Sequence, residues 1–172
     1  MAPNALEKRA KDAIARIKFP EDVEKYVSAE GWIRSILLGE KYREPDPEFL
    51  SRMLAAEVIF AGSIEEVFRQ GMVRGLQEML PDTAGYESEP FELDSIYVME
   101  SDYETGNPCY TVMRGTFLIS GEDFITTTGA TSVQAQLIAL IAHNAWPIKA
   151  KFGRGDVTDK SGKHMMFLLP PD

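Results

Sequence analysis

A chain of 172 residues with 18 basic and 27 acidic side chains, net charge −9, is long enough to bury a real core and too acidic to coat phosphate backbones indiscriminately. Its 44% hydrophobic and 26% charged content is that of an ordinary globular protein, and no apolar run approaches the roughly 20 residues that span a bilayer. The start, MAPNALEKRAKDAIARIKF, scatters charge where a secretory signal would be apolar, and Cys109 has no second cysteine to pair with. A reducing, cytoplasmic setting with no membrane partner is therefore expected.

Residues 1–84 read as a helical region. Asn4 and Glu7 have N-cap spacing, and Leu6, Ala10, Ala13, Ile14 and Ile17 fall on one helical face. Phe19-Pro20 ends that helix, and Pro20 with Glu21 and Asp22 opens a second, with Val23, Tyr26 and Val27 on its buried stripe. Gly31 breaks the stripe, and Trp32, Ile33, Ile36 and Leu37 resume it. The polar EKYREPDP is a loop. Asp46-Pro47-Glu48 opens a third helix, with Phe49, Leu50, Met53, Leu54 and Ile59 on its apolar side and Gly62 at its end. Ser63 and Glu66 are spaced as a capping box for a fourth, carrying Val67 and Phe68. Met72, Val73, Leu76, Met79 and Leu80 continue the pattern to a boundary at Pro81–Gly85.

Residues 85–172 read as β structure. The segment 81–104 is acidic throughout and leads through the strand FELDSIYVM to a turn at YETGNP. In CYTVMRGTFLI, Tyr110, Val112, Arg114, Thr116 and Leu118 alternate against Cys109, Thr111, Met113, Phe117 and Ile119. Ser120–Asp123 closes a hairpin to FITTT, where Phe124, Thr126 and Thr128 share a face. Thr131 and Gln134 have capping-box spacing for a helix with Val133, Leu137, Leu140 and Ile141 as its stripe and Asn144 at its exit. In WPIKAKF, Trp146, Ile148, Ala150 and Phe152 alternate with Lys149 and Lys151, and HMMFLL is the last strand. Three strands, a helix and two strands is the order of the five-stranded, partly open OB-type barrel. The expected fold is thus α+β, an N-terminal helical region followed by an OB-like β-barrel with one helix between its third and fourth strands.

No phosphate loop, nucleophile elbow or dinucleotide fingerprint is present. His143 and His164 have no further ligand at metal-site spacing, and Cys109 suits a buried small hydrophobe. A non-enzymatic protein without metal or cofactor is expected. Arg154-Gly155-Asp156 spells an adhesion tripeptide, which turn composition explains in an unsecreted chain. The usable feature is basic: Lys149 and Lys151 must point outward if Ile148, Ala150 and Phe152 point inward, and Arg154, Lys160 and Lys163 follow in the next loop. In an OB-type barrel that loop borders the ligand groove, where positive charge and stacking aromatics hold single strands. Tyr110 and Arg114, on one strand face, are the candidates to stack or pair, with Tyr103 in the turn before them.

The run TTTGATSVQAQLIALIAHNAWPIKAKF, with the acidic segment before it and the closing MFLLPPD, resembles small accessory proteins of actinobacterial phages, over about residues 45–172. The resemblance implies a phage or mobile-element origin, hence a host-cell cytoplasm, and roles in replication or the virion; it carries no motif residues. Two functions are expected to compete. One is an OB-like module that binds single-stranded nucleic acid through Tyr110, Arg114, Lys149, Lys151, Arg154, Lys160 and Lys163. The other is a structural or interaction protein, paired with a protein partner or with itself, that uses its acidic surface.

Overall fold

The computed structural model describes residues 3–20, 23–25, 28–38, 49–75, 86–100, 109–129, 131–158 and 164–171. In chain order the elements are α1 (Pro3–Arg16), β1 (Val23–Lys25), α2 (Ala29–Leu38), α3 (Phe49–Ile59), α4 (Ile64–Gly75), β2 (Tyr86–Glu87), β3 (Phe91–Glu100), β4 (Cys109–Phe117), β5 (Asp123–Thr128), α5 (Thr131–Ala142), β6 (Lys149–Thr158) and β7 (His164–Leu169).

The helices follow their apolar spacing, with corrections at the ends. Leu6, Ala10, Ala13 and Ile17 are buried along α1, and Pro3 takes the first helical position, so Asn4 lies inside the helix. The helix expected from Pro20 is replaced by β1, which lies parallel to β3 with Val23 opposite Ile96. The edge of β3 beyond its short pairing with β6 offers backbone groups to this three-residue segment, and that tertiary pairing overrides the local proline signal. α2 begins only at Ala29, where Ser28 Oγ accepts the Gly31 N–H at 3.0 Å; Gly31 lies in the first turn and breaks nothing. Ser63 Oγ likewise accepts the Glu66 N–H at 3.1 Å. Glu66 completes no capping box, because its carboxylate turns to Arg69 and Gln70, and those hydrogen bonds hold its carboxyl below the usual carboxylate range. The Asp46–Glu48 cap, the side chains of Phe49, Leu50, Met53, Leu54, Met72 and Val73, and the 84/85 boundary lie outside the described residues.

Arg52 of α3 is the largest buried cation described. Its Nη1 donates to the carbonyls of Ser35 at 2.9 Å and Ile36 at 3.0 Å, in the last turn of α2. Both carbonyls sit at the negative end of the helix, which suits a cation.

The five main strands run β7-β6-β3-β4-β5, every neighbouring pair antiparallel, with α5 between the third and fourth of them in the chain. β2 and the start of β3 share one edge of β6, bridged by Ser88, whose N–H donates to the Phe152 carbonyl and whose Oγ accepts the Phe152 N–H on that edge. The expected barrel does not form. Closure would need the end strands β5 and β7 to pair, and among the described residues they do not. α5 stands in the gap. Gln136 donates to the Leu168 carbonyl at 3.0 Å and accepts the Leu168 N–H at 2.7 Å, taking the place a strand would have on the outer edge of β7. Gln134 donates to the Cys109 carbonyl at 3.1 Å, two positions past the Thr111–Thr128 pair where β5 ends.

α5 is thus buried on every side, not on a stripe alone: Val133 through Ile141 are all covered. Gln134, expected to cap α5, serves instead as an internal junction. Its Oε1 accepts from Trp32 Nε1 at 2.9 Å and Thr111 Oγ1 at 3.1 Å. One continuous apolar cluster joins α1–α4, α5 and the inner sheet face, so the helical region packs on the β region. Asn144 ends the α5 segment with φ 58°, as its exit position predicted.

β4 presses against β3 at Gly115, where a Cβ would lie 2.3 Å from the Glu92 carbonyl oxygen. Gly115→Ala is expected to cost about 1–3 kcal/mol by forcing the two backbones apart. A lowered urea midpoint at unchanged slope checks it. None of the helices described is long and apolar enough to cross a membrane.

Candidate nucleic-acid interface

Alternation gives the β3–β4–β5 meander one face toward the helices and one toward solvent. Cys109, Thr111, Met113 and Gly115 of β4 point inward and are buried, so Tyr110, Val112, Arg114 and Thr116 point outward. On β5, Phe124, Thr126 and Thr128 turn inward, half-buried, and Asp123, Ile125 and Thr127 are exposed. On β3 the phase changes at a bulge between Leu93 and Ser95: Phe91 and Leu93 point in before it, Ile96 and Val98 after it. The bulge therefore puts Tyr97 and Met99 on the outer face.

The register assembles the site. Tyr97 faces Val112, which faces Thr127; Met99 faces Tyr110; Ser95 faces Arg114, which faces Ile125. Tyr97 and Tyr110 are diagonal neighbours, about 7–8 Å apart on neighbouring strands. Both are half-buried, so each shows part of its ring to solvent. Arg114, exposed, flanks them one row below. Lys149 stands opposite Glu92 at the margin, and Lys151, two residues on, is half-buried on the same side of β6.

The charges are balanced. Arg114 Nε lies 4.0 Å from Asp94 Oδ1, and Lys149 Nζ lies 3.7 Å from Glu92 Oε2. Both pairs are exposed and at the limit of contact, so each contributes little to stability and yields readily to a better anion. Two carboxylates of the acidic segment thus act as counter-charges to this patch, and a third, Glu89, accepts the Ser120 N–H at 2.9 Å beside the β4–β5 turn.

Of the residues expected at the site, Tyr110 and Arg114 lie close together on the outer face, whereas Lys149, level with Thr116, stands about 20 Å along the strands from Tyr110, with Lys151 farther on. Arg154 is not in a loop: β6 runs through Arg154-Gly155-Asp156, and Arg154 pairs in register with Met166 and Tyr86. Tyr103, Lys160 and Lys163 lie outside the described residues. Tyr97, Met99 and Ile125 were missed. A period-two reading of FELDSIYVM fails across the bulge, and the signal that finds Tyr97 is its place between Ile96 and Val98, both apolar and inward.

Other chemistry is thin. Among the described residues no group of three His, Cys, Asp or Glu side chains is placed to hold a metal ion. Cys109 is buried, and His143 Nε2 donates to the Ala61 carbonyl at 2.7 Å. An apolar cavity of about 400 Å³ between α4 and the chain end, lined by Ile64, Phe68, Leu169 and Pro170 among others, shares no residue with the outer sheet face. The chain matches no protein-family model, no curated protein and no solved structure.

Proposed function

We propose that the outer face of the β3–β4–β5 sheet binds single-stranded nucleic acid, without enzymatic turnover. The observation that carries this reading is the diagonal pair Tyr97 and Tyr110 with Arg114 beside it, three planar groups on one solvent-facing wall. Bases stack on such groups for about 1–3 kcal/mol each, whatever their identity. Arg114, Lys149 and Lys151 meet the phosphates at the margin, together with whatever Arg154, Lys160 and Lys163 add. In a phage or mobile element, the context the sequence resemblance implies, such a module serves replication.

The ion pairs shape the expected behaviour. Because Asp94 and Glu92 already neutralise Arg114 and Lys149, stacking supplies most of the affinity and charge little of it. With three cations engaged, the affinity falls with a slope of about −2 in log K against log salt. Fluorescence anisotropy of a labelled oligothymidine at low and moderate salt tests this, and absence of binding at low salt overturns the reading. Asp94→Asn is expected to tighten binding about threefold and to steepen the salt slope, since it releases Arg114 for phosphate.

The competing reading, an acidic surface that docks on a protein, draws on the net charge of −9. It is the weaker one, because Glu92 and Asp94 stand beside Lys149 and Arg114, so this face presents mixed charge rather than an acidic patch.

A further inference from the structure

The β4–β5 hairpin carries a second feature, the open edge of β5, whose Ile125 borders the outer face but supplies neither stacking nor charge there. Of the four large apolar side chains exposed among the described residues, three lie on it: Leu118 at 48%, Ile119 at 77% and Ile125 at 70%. None of the six side chains of β5 is buried, and among the described residues no strand pairs with the outer edge of β5. The hairpin closes with the Phe117 N–H donating to the Glu122 carbonyl, across a tight turn in which Gly121 has φ 76°. From that pair, alternation sends the backbone groups of Phe124, Thr126 and Thr128 toward β4 and those of Asp123, Ile125 and Thr127 outward. Natural edges are usually blunted by lysine, proline or a bulge, and DFITTT has none of them.

We infer that a second copy of this chain pairs with the outer edge of β5, antiparallel about a two-fold axis at Ile125. The sequence of the strand selects both the partner and the register. With the axis at Ile125, Ile125 meets its own copy and Asp123 meets Thr127 of the partner subunit, twice by symmetry. Both pairs lie on the exposed face, one apolar and one hydrogen-bonding, and the two Asp123 carboxylates stay apart. Shifting the axis to Asp123 would set those carboxylates against each other, and shifting it to Thr127 would leave Ile125 opposite Gly129. Backbone hydrogen bonds hold the added strand, as in other cases of strand addition. Two chains of charge −9 repel at long range, so salt that screens them strengthens the dimer. That is opposite in sign to the salt effect on nucleic-acid binding, and no nucleic acid is needed for the test.

Sedimentation velocity on the full chain, at low and high salt over a range of concentrations, tests the inference. A species of twice the 19.2 kDa monomer is expected, favoured by salt. Ile125→Lys should make it monomeric across the range, and circular dichroism should show an unchanged fold because the side chain is exposed. Thr127→Lys, which sets a cation opposite Asp123 of the partner subunit, should tighten the dimer about threefold to tenfold. Ile119→Ser, outside the paired segment, should leave it unchanged. A wild-type monomer at every salt and concentration overturns the inference. So does a dimer that Ile119→Ser disrupts as strongly as Ile125→Lys, or one that Thr127→Lys weakens.

Discussion

Gln134→Leu is expected to destabilise the protein by about 3–6 kcal/mol, the largest effect of any single side chain of its size here. One buried amide serves three partners on two other elements: Trp32 Nε1 of α2, and Thr111 Oγ1 and the Cys109 carbonyl of β4. Leucine fills similar space but leaves all three buried groups without that partner, and each such loss costs about 1–3 kcal/mol. Total stability is usually only about 5–15 kcal/mol, so the variant stands near the edge of unfolding. Urea denaturation followed by tryptophan fluorescence measures the loss, since Trp32 reports directly on this junction. A loss below about 1 kcal/mol would show that α5 is held by apolar contact alone.

The second large effect concerns binding. The double variant Tyr97→Ala with Tyr110→Ala is expected to weaken binding of a short single strand about 100-fold, two stacking platforms being lost at about 1–3 kcal/mol each. Both rings are half-exposed, so the fold should survive, as a thermal melt by circular dichroism checks. Arg114→Ala should cost less, about threefold to tenfold, because its guanidinium is partly satisfied by Asp94 in the free protein. If the double variant binds as the natural chain does, the single strand uses another surface.

Much of the β region was legible because its burial is one-sided. Cys109, Thr111 and Met113 against Tyr110, Val112 and Arg114 is a period-two pattern that only a half-buried strand satisfies, and Lys149 against Ile148 and Ala150 follows the same logic. The strand order around α5 was legible for the same reason. What failed was tertiary. Nothing local in Val23–Lys25 announces a strand, because the partner edge on β3 is far away in sequence. The open seam was hidden in two glutamines that look like ordinary helix formers, one of which was read as a cap. Only in space do Gln134 and Gln136 prove to stand in for missing strand partners. Tyr97 was lost to a one-residue bulge, which inverts the faces of everything after it.

The most direct test of the outer sheet face is photocrosslinking of a bromouracil-substituted single strand to the native protein, with the adducts located by mass spectrometry. Crosslinks on Tyr97 or Tyr110, abolished by competing unlabelled strand, are the predicted result. Adducts confined to the helices α1–α4, or none at low salt where binding is strongest, would contradict it.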